Sequence, residues 1–273
     1  MLIGKLLRRL SIVVSGGWDV VSMPEIGYGA VGNTRANLRA RIALRYATLP
    51  LTFSAWSGKV IRELVGREPE IVYLGVDVDR LRPSASKEDV VVTVGNLTRQ
   101  NLARKGLETF ARATQLLPDT RFVLVGRHAD DGVDALRALA PPNLELPGWL
   151  PDNELVDLLA RAKVYVQVSY AEGFGLALAE GMACGAVPVV TKREPSRRSS
   201  VMSATTCRKA TPNERHSRSA RLSPPVVVLP LASEWSIGSP SHDGGRRFSS
   251  CSAGFQGLEM LRARDALGLE EGS

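Results

Sequence analysis

The sequence predicts an α/β protein whose main unit is a doubly wound parallel sheet. Three observations carry the prediction. From residue 89 onward, short β-branched runs (DVVVTVG, TRFVLVG, VYVQVS, VPVV) alternate with segments of helical length, the order that builds parallel strands with crossover helices. The helical segments are amphipathic: GLETFARATQLL sets Leu107, Phe110, Ala111, Thr114 and Leu117 on one face. The chain's 273 residues, 44% hydrophobic and 23% charged, are enough for one large or two ordinary soluble domains.

Upstream of that unit, SIVVS (11–15) reads as a short buried strand ended by Gly16 and Gly17. Residues 34–48 read as a helix with arginines on one face. LTFSAW (51–56) reads as a strand, SGKVIRELVG (57–66) as a helix closed by Gly66, and EIVYLG (70–75) as a strand. VDVDRLRPSASKED is polar, proline-bearing and aperiodic, as a linker is. The reading is therefore a partial unit over 1–76, a linker over 77–88 and the main unit over 89–193. Within the main unit, residues 131–140 read as a helix and NLELPGWL as a short strand and turn. DNELVDLLARA reads as a helix capped by Asp152, and residues 174–184 as a helix.

The net charge is +7 and the pI about 9.6, values that fit nucleic acid, a membrane surface or a phosphate-bearing ligand. The basic excess has neither aromatic interleaving nor a nucleic-acid-binding motif, so nucleic acid ranks low. No apolar run approaches 18 residues. The N-terminus has GGWD where a signal peptide has a small-residue cleavage site. Cys184, Cys207 and Cys251 have no metal-like spacing, and their odd number gives no disulfide framework. The expected compartment is the cytoplasm.

The chemistry concentrates in AEGFGLALAEGMACG (171–185). Strand VYVQVS ends at Ser169, which puts Glu172 at the strand's carboxyl end, where doubly wound sheets bind ligands. The helix that follows is expected to start near Gly173 or Phe174. Gly173 and Gly175 let a ligand approach the backbone, and the free N–H groups of the helix's first turn suit a phosphate. Glu180 lies about 12 Å further along that helix. A nucleotide-diphosphate sugar presents hydroxyls, a diphosphate and hydroxyls again, and carboxylates accept strongly from hydroxyls. The plain alternative for any such pair is one glutamate complementing the helix dipole and another in solvent.

EGFGLALAEGMACGAVPVVT closely resembles the E-x7-E signature of the retaining glycosyltransferases of the GT-B fold, in the large family-four group. YLGVDVDRLRP resembles the segment that precedes the second domain in that family, and VGNLTRQNLARKGLETF resembles its VGR…KG loop. FVLVG and LPGWLPDNELVDLLARAKVYVQVSYAEGFG follow in the family's order and spacing. The resemblance covers most of residues 50–191 and implies a GT-B-like pair of Rossmann-like domains. It implies that Glu172 contacts the donor sugar's hydroxyls and Glu180 the ribose. The backbone of Gly173, Phe174 and Gly175 would face the sugar and phosphates. Lys105 would bind the diphosphate and help it leave; the plain reading of Lys105 is a solvated lysine at a helix start. The family's arginine in VGR is Asn96 here, and the longer loop offers Arg99 or Arg104 for its role. Gly126 is expected near the base, with the GWLP turn, Leu150 included, walling the nucleotide. His128 reads as a solvated loop residue and Cys184 as core packing.

Both ends depart from the family. The first strands of a GT-B N-terminal domain are not in the text. After VPVVT the sequence changes in kind: residues 192–273 hold 15 serines against 8 in the first 191. Loss of one nucleotide just after Arg193 accounts for the change, because the alternative frame can read GALPEVVGDVGYYVPEGD, close to the family's continuation. Residues 194–273 are therefore expected to be an aberrant, disordered tail that adds nothing to the parallel sheet, and the chain's own activity to be impaired.

These readings converge on a hexosyltransferase acting from a nucleotide-diphosphate sugar, with retention. No cofactor and no metal are expected, since DVD (77–79) sits in the linker. The acceptor is an unidentified glycan, lipid or small molecule, and peripheral membrane association is compatible with the charge. The alternative is a non-catalytic remnant that binds nucleotide sugar weakly.

Overall fold

The computed structural model describes residues 9–30, 34–139, 141–191 and 227–229. Two parallel sheets organise them. The smaller joins β1 (Ile12–Ser15), β2 (Leu49–Thr52) and β3 (Glu70–Ile71) in the order β1-β2-β3. Helices α1 (Thr34–Tyr46) and α2 (Ala55–Val65) cover it. Leu44, Ile61, Val65, Val20 and Val21 form its core. The predicted strand over 51–56 is shorter because Ser54 starts a helix instead: its hydroxyl accepts from the Ser57 N–H at 3.2 Å. Gly66 closes α2 as expected, in the left-handed conformation. The strand predicted over 70–75 shrinks to two residues, and Val72 and Tyr73 are exposed.

The larger sheet holds β4 (Glu88–Val94), β5 (Arg121–Val125), β6 (Leu144–Gly148), β7 (Ala162–Gln167), β8 (Val187–Thr191) and β9 (Val227–Leu229). Their order is β6-β5-β4-β7-β8-β9, and every pairing is parallel. Helices α3 (Arg99–Arg104), α4 (Leu107–Ala113), α5 (Gly132–Leu139), α6 (Asp152–Arg161) and α7 (Leu176–Ala183) connect the strands. Successive strand residues feed opposite cores. Val91, Phe122, Leu124, Val164 and Val166 pack with α4 on one side, where Phe110 meets Phe122 edge to face at 5.5 Å. Val90, Val92, Val123, Val125 and Tyr165 pack with α6 and α7 on the other. All five residues of the predicted α4 face are buried, although its last turn, Thr114–Leu116, tightens to a 3-10 helix.

Several expectations need correction. The strand in SIVVS forms but is not buried: Ile12 and Val14 of β1 are exposed. Helix α3 stands where a loop was expected; Thr98 caps it by accepting from the Asn101 N–H at 3.1 Å. Pro151, not Asp152, occupies the cap position of α6, and Asp152 pairs with Arg80 instead. Helix α7 starts at Leu176 behind Gly175, two residues later than predicted, because Gly175 takes a left-handed conformation (φ 84°) that cannot continue a helix backwards. The expectation that residues 194–273 add nothing to the sheet fails at β9: Val227, Val228 and Leu229 pair with Val189, Val190 and Thr191. This is the proline-flanked VVVLPL run, the one apolar stretch of that region. The expectation of disorder for the rest of it lies outside the described residues. The 77–88 segment is no free tether, since Leu81 is buried against the second core and Lys87 donates to the Ala160, Ala162 and Cys184 carbonyls.

Candidate functional site

The strand order reverses between β4 and β7, from which the chain proceeds outward in both directions. Doubly wound sheets open a crevice at the carboxyl ends of such a pair of strands. Two segments leave those ends: the loop after β4, carrying α3 and Lys105, and the loop after β7, carrying Glu172. The sequence-predicted pair is brought together there, with Lys105 Nζ 3.4 Å from Glu172 Oε1. Arg104 joins them, its Nη1 4.0 Å from Glu172 Oε2. These side chains are only 14% (Arg104), 21% (Lys105) and 13% (Glu172) exposed. Charged groups are buried this far when they are paired, and Lys105 is not the solvated lysine of its plain reading.

Each member of the trio is held from more than one side. The Ser169 hydroxyl donates to Glu172 Oε1 at 3.1 Å. Arg104 Nε donates to Asn101 Oδ1 and its Nη1 to the Ala171 carbonyl, while its own carbonyl accepts from the Tyr170 N–H at 2.7 Å. The Lys105 stem crosses Gly95, where a Cβ would lie 2.7 Å from Lys105 Cδ. Gly106 turns the chain back into α4 with φ 65°, against the Val168 carbonyl. Two cations around one carboxylate leave a net positive charge next to the N-terminal end of α7, whose dipole has the same sign.

The smaller sheet closes this crevice. A Cβ on Gly173 would overlap the Gly16 carbonyl. Gln100 Nε2 donates to the Gly27 carbonyl at 3.1 Å, and the Tyr28 ring lies 5.0 Å from the Arg104 guanidinium carbon. Burial pushes the Tyr28 phenol above its ordinary range; Arg104 opposes the shift and Glu172 adds to it. Tyr28 was not found from sequence, because nothing local marks a tyrosine that meets its partner 76 positions away (28 against 104).

Glu180 lies one helix turn inside α7, partly buried. Its carboxyl is raised above the usual range by burial first and then by Asp152, with Arg80 pulling it back. Both carboxylates act on one buried group: the Tyr165 hydroxyl is raised by burial, then by Glu172, and also by Glu180. Gly181 lets α7 sit on that ring, since a Cβ there would be 2.7 Å from Tyr165 Cδ2. Phe174 is buried. Arg99 stands apart from the trio, 62% exposed and in a two-point pair with Asp131 at 2.9 and 2.7 Å. Gly126 sits at the carboxyl end of β5, where a Cβ would overlap the Gly95 carbonyl. Leu150 packs on the α6–α7 side of the core, while Trp149 beside it is exposed. His128 is exposed, and Cys184 is buried with its thiol raised chiefly by burial. Among the described residues, no group of three or more His, Cys, Asp or Glu side chains is arranged to hold a metal ion, and no helix is long and apolar enough to cross a membrane.

Comparison with known proteins bears on the fold. The family model for glycosyl transferases group 1 matches residues 88–208 and so ends inside the serine- and arginine-rich stretch. The O-antigen chain mannosyltransferase B of Escherichia coli is 38% identical over 96 residues, 32% of this chain and 25% of that protein. The D-inositol 3-phosphate glycosyltransferase of Mycobacteroides abscessus is 31% identical over 140 residues, 44% of this chain and 30% of that one. The chain thus spans less than half the length of these relatives. Among solved structures, sucrose-phosphate synthase from Thermosynechococcus elongatus superposes with a TM-score of 0.58 at 21% identity, over 70% of this chain and 53% of that one. Anabaena Alr3699/HepE in complex with UDP and glucose gives 0.57 at 22%, over 70% and 55%. The strand order and these matches lead to one statement: residues 88–208 match the glycosyl transferases group 1 family model, and the chain has an α/β fold of parallel sheets like that of GT-B glycosyltransferase structures.

Proposed function

We propose that this crevice binds a nucleotide-diphosphate sugar and that the protein transfers its hexose, with retention, to a glycan, lipid or small-molecule acceptor. The observation that carries the reading is the largely buried Arg104–Lys105–Glu172 trio at the strand-order reversal. Its net positive charge suits the diphosphate, and charge on the departing phosphate would grow beside Lys105 and Arg104 as the glycosidic bond breaks. Glu172 would accept from the sugar's hydroxyls, with Ser169 fixing one of its oxygens. The backbone at Gly173–Gly175 would line the sugar and phosphates. Glu180 would accept from the ribose, and Gly126 and Leu150 would border the base. No step in this scheme calls for a metal or a further cofactor. Among the family's expected arginine substitutes, Arg104 suits the role and Arg99 supports the rim of the crevice.

The test is titration of the purified protein with UDP-glucose and GDP-mannose, followed by release of the nucleotide diphosphate. Glu172→Gln is expected to keep diphosphate binding within a few-fold and to lower transfer by about 100-fold or more, the scale of losing one well-placed electrostatic group. Binding without transfer would favour the non-catalytic reading. Binding of neither nucleotide sugar would sink both.

A further inference from the structure

Helix α1 turns an unusual face to solvent. Leu38, Ile42 and Tyr46 recur every fourth residue along one side and are 58%, 37% and 46% exposed. The side that faces the sheet buries Leu44 completely. Arg35, Arg39, Arg41 and Arg45 flank the apolar stripe, and the helix TRANLRARIALRY holds no acidic residue. Among the described residues, none of these four arginines pairs with a carboxylate. Several arginines elsewhere on the surface are matched: Arg62 by Glu68, Arg99 by Asp131, Arg112 by Glu108 and Arg121 by Glu145. The far end of α1 is fixed, since Arg45 Nη1 donates to the Val65 carbonyl at 2.6 Å and Arg67 Nη1 to the Arg45 carbonyl at 2.9 Å. Next to it, Ile42, Tyr46, Leu64 and Val65 line a cavity of about 360 Å³ rimmed by Arg41 and Arg45.

We propose that α1 docks on an anionic lipid surface. The unmatched arginines select a partner of negative charge, and the stripe between them selects one with hydrocarbon beneath that charge. A bilayer containing acidic phospholipid supplies both, whereas a nucleic-acid backbone would leave Leu38 and Ile42 facing phosphate and water. Leu38, Ile42 and Tyr46 enter the boundary between headgroups and acyl chains, while Arg35, Arg39 and Arg41 reach back to the phosphates. The helix begins at Thr34, shortly after the loop whose Tyr28 lies over Arg104. Docking therefore sets the crevice close to the lipid surface. The proposal stands independently of the sugar-transfer reading.

The full-length protein is sedimented with sucrose-loaded vesicles of phosphatidylcholine, with or without phosphatidylglycerol. Binding to the mixed vesicles is expected, together with its loss on pure phosphatidylcholine and its weakening by salt. Arg35→Glu/Arg39→Glu/Arg41→Glu should lower the partition coefficient by about 100-fold, at roughly a factor of five for each basic residue near an anionic surface. Arg112→Glu, on the other sheet's helices, should leave it unchanged. If the triple variant loses its far-UV circular dichroism, the exposed pair Leu38→Gln/Ile42→Gln decides instead, by weakening binding in a folded protein. Unaltered binding by a folded α1 variant would assign the vesicles to another basic segment, such as residues 192–273, and overturn the proposal. So would absence of binding by the wild type, or α1-dependent retention on duplex DNA without vesicle binding.

Discussion

Replacing Gly106 with alanine tests whether the turn behind Lys105 sets both stability and the site. Gly106 holds φ 65°, and a Cβ there would overlap the Val168 carbonyl oxygen and stand 2.8 Å from Val168 Cγ2. The left-handed conformation costs a non-glycine residue about 1–2 kcal/mol. Overpacking against backbone adds about 1–3 kcal/mol, because a backbone carbonyl cannot rotate aside as a side-chain tip can. A loss of about 3 kcal/mol is expected, which lowers Tm by roughly 6–12 °C for a protein of this size. The matched control is Gly16→Ala, where a Cβ meets nothing within 4 Å and the change should stay within about 1 kcal/mol of wild type. Thermal unfolding followed by circular dichroism reads both variants. The added Cβ presses on Val168, and a shift there would carry Ser169 next to it, with the hydroxyl that steadies Glu172. Gly106→Ala should therefore also weaken nucleotide-sugar binding at temperatures well below its Tm. A Gly106→Ala protein as stable as the Gly16→Ala control would refute the steric argument. A destabilised variant with unchanged affinity would refute the link between this turn and the site.

Tyr28→Leu should loosen Arg104 and weaken nucleotide-sugar binding roughly three-fold, the worth of one partly exposed cation–π contact, while Tyr28→Phe keeps the affinity; equal titration curves for the two variants would count against the contact. Asn143 Nδ2 donates to the Thr114, Leu117 and Thr120 carbonyls at 3.2, 2.9 and 2.9 Å, so Asn143→Ala should cost about 2–3 kcal/mol in urea unfolding. Glu180 has a raised carboxyl, so the protonated form favours the fold: its contribution is fully present below the ordinary carboxylate range and is lost as pH rises through the raised value. Glu180→Gln should accordingly be more stable than wild type at neutral pH, with the difference closing on acidification, and a difference that widens on acidification would reverse the assignment.

The sheet was legible because its residues obey a period that burial enforces. Val90 and Val92 face one core and Val91 the other, and a one-residue slip would exchange every side chain between them. Helix α3 was not legible, because Leu102 is its only buried residue and one apolar side chain makes no period. That omission left the choice between Arg99 and Arg104 open. Five residues along a helix rotate a side chain by about 140°. Once the segment is helical, the two arginines cannot serve the same place: one enters the crevice beside Glu172, and the other reaches Asp131 on the rim. Asp152 misled for a related reason. It is a good capping residue, but the preceding proline fixes its own φ and takes the cap position, which frees Asp152 for Arg80 and so for the neighbourhood of Glu180.

β9 shows why composition is a poor guide to a single strand. The region after Thr191 is serine-rich and a poor core former on average, yet pairing to a sheet asks for only a few residues of suitable backbone. β8 would otherwise be an edge strand of a parallel sheet, with its unpaired N–H and C=O groups open to any extended segment. The run that lies there has prolines at 224, 225 and 230 around it in the sequence, a residue type that suits the ends of an edge strand. The register places it on Val189–Thr191, and the Thr191 hydroxyl donates to the Ser169 carbonyl at 3.2 Å. Ser169 in turn donates to Glu172. The outermost strand is thus two side-chain hydrogen bonds from the carboxylate in the crevice, so covering the β8 edge bears on the order of the site as well as on protecting the sheet.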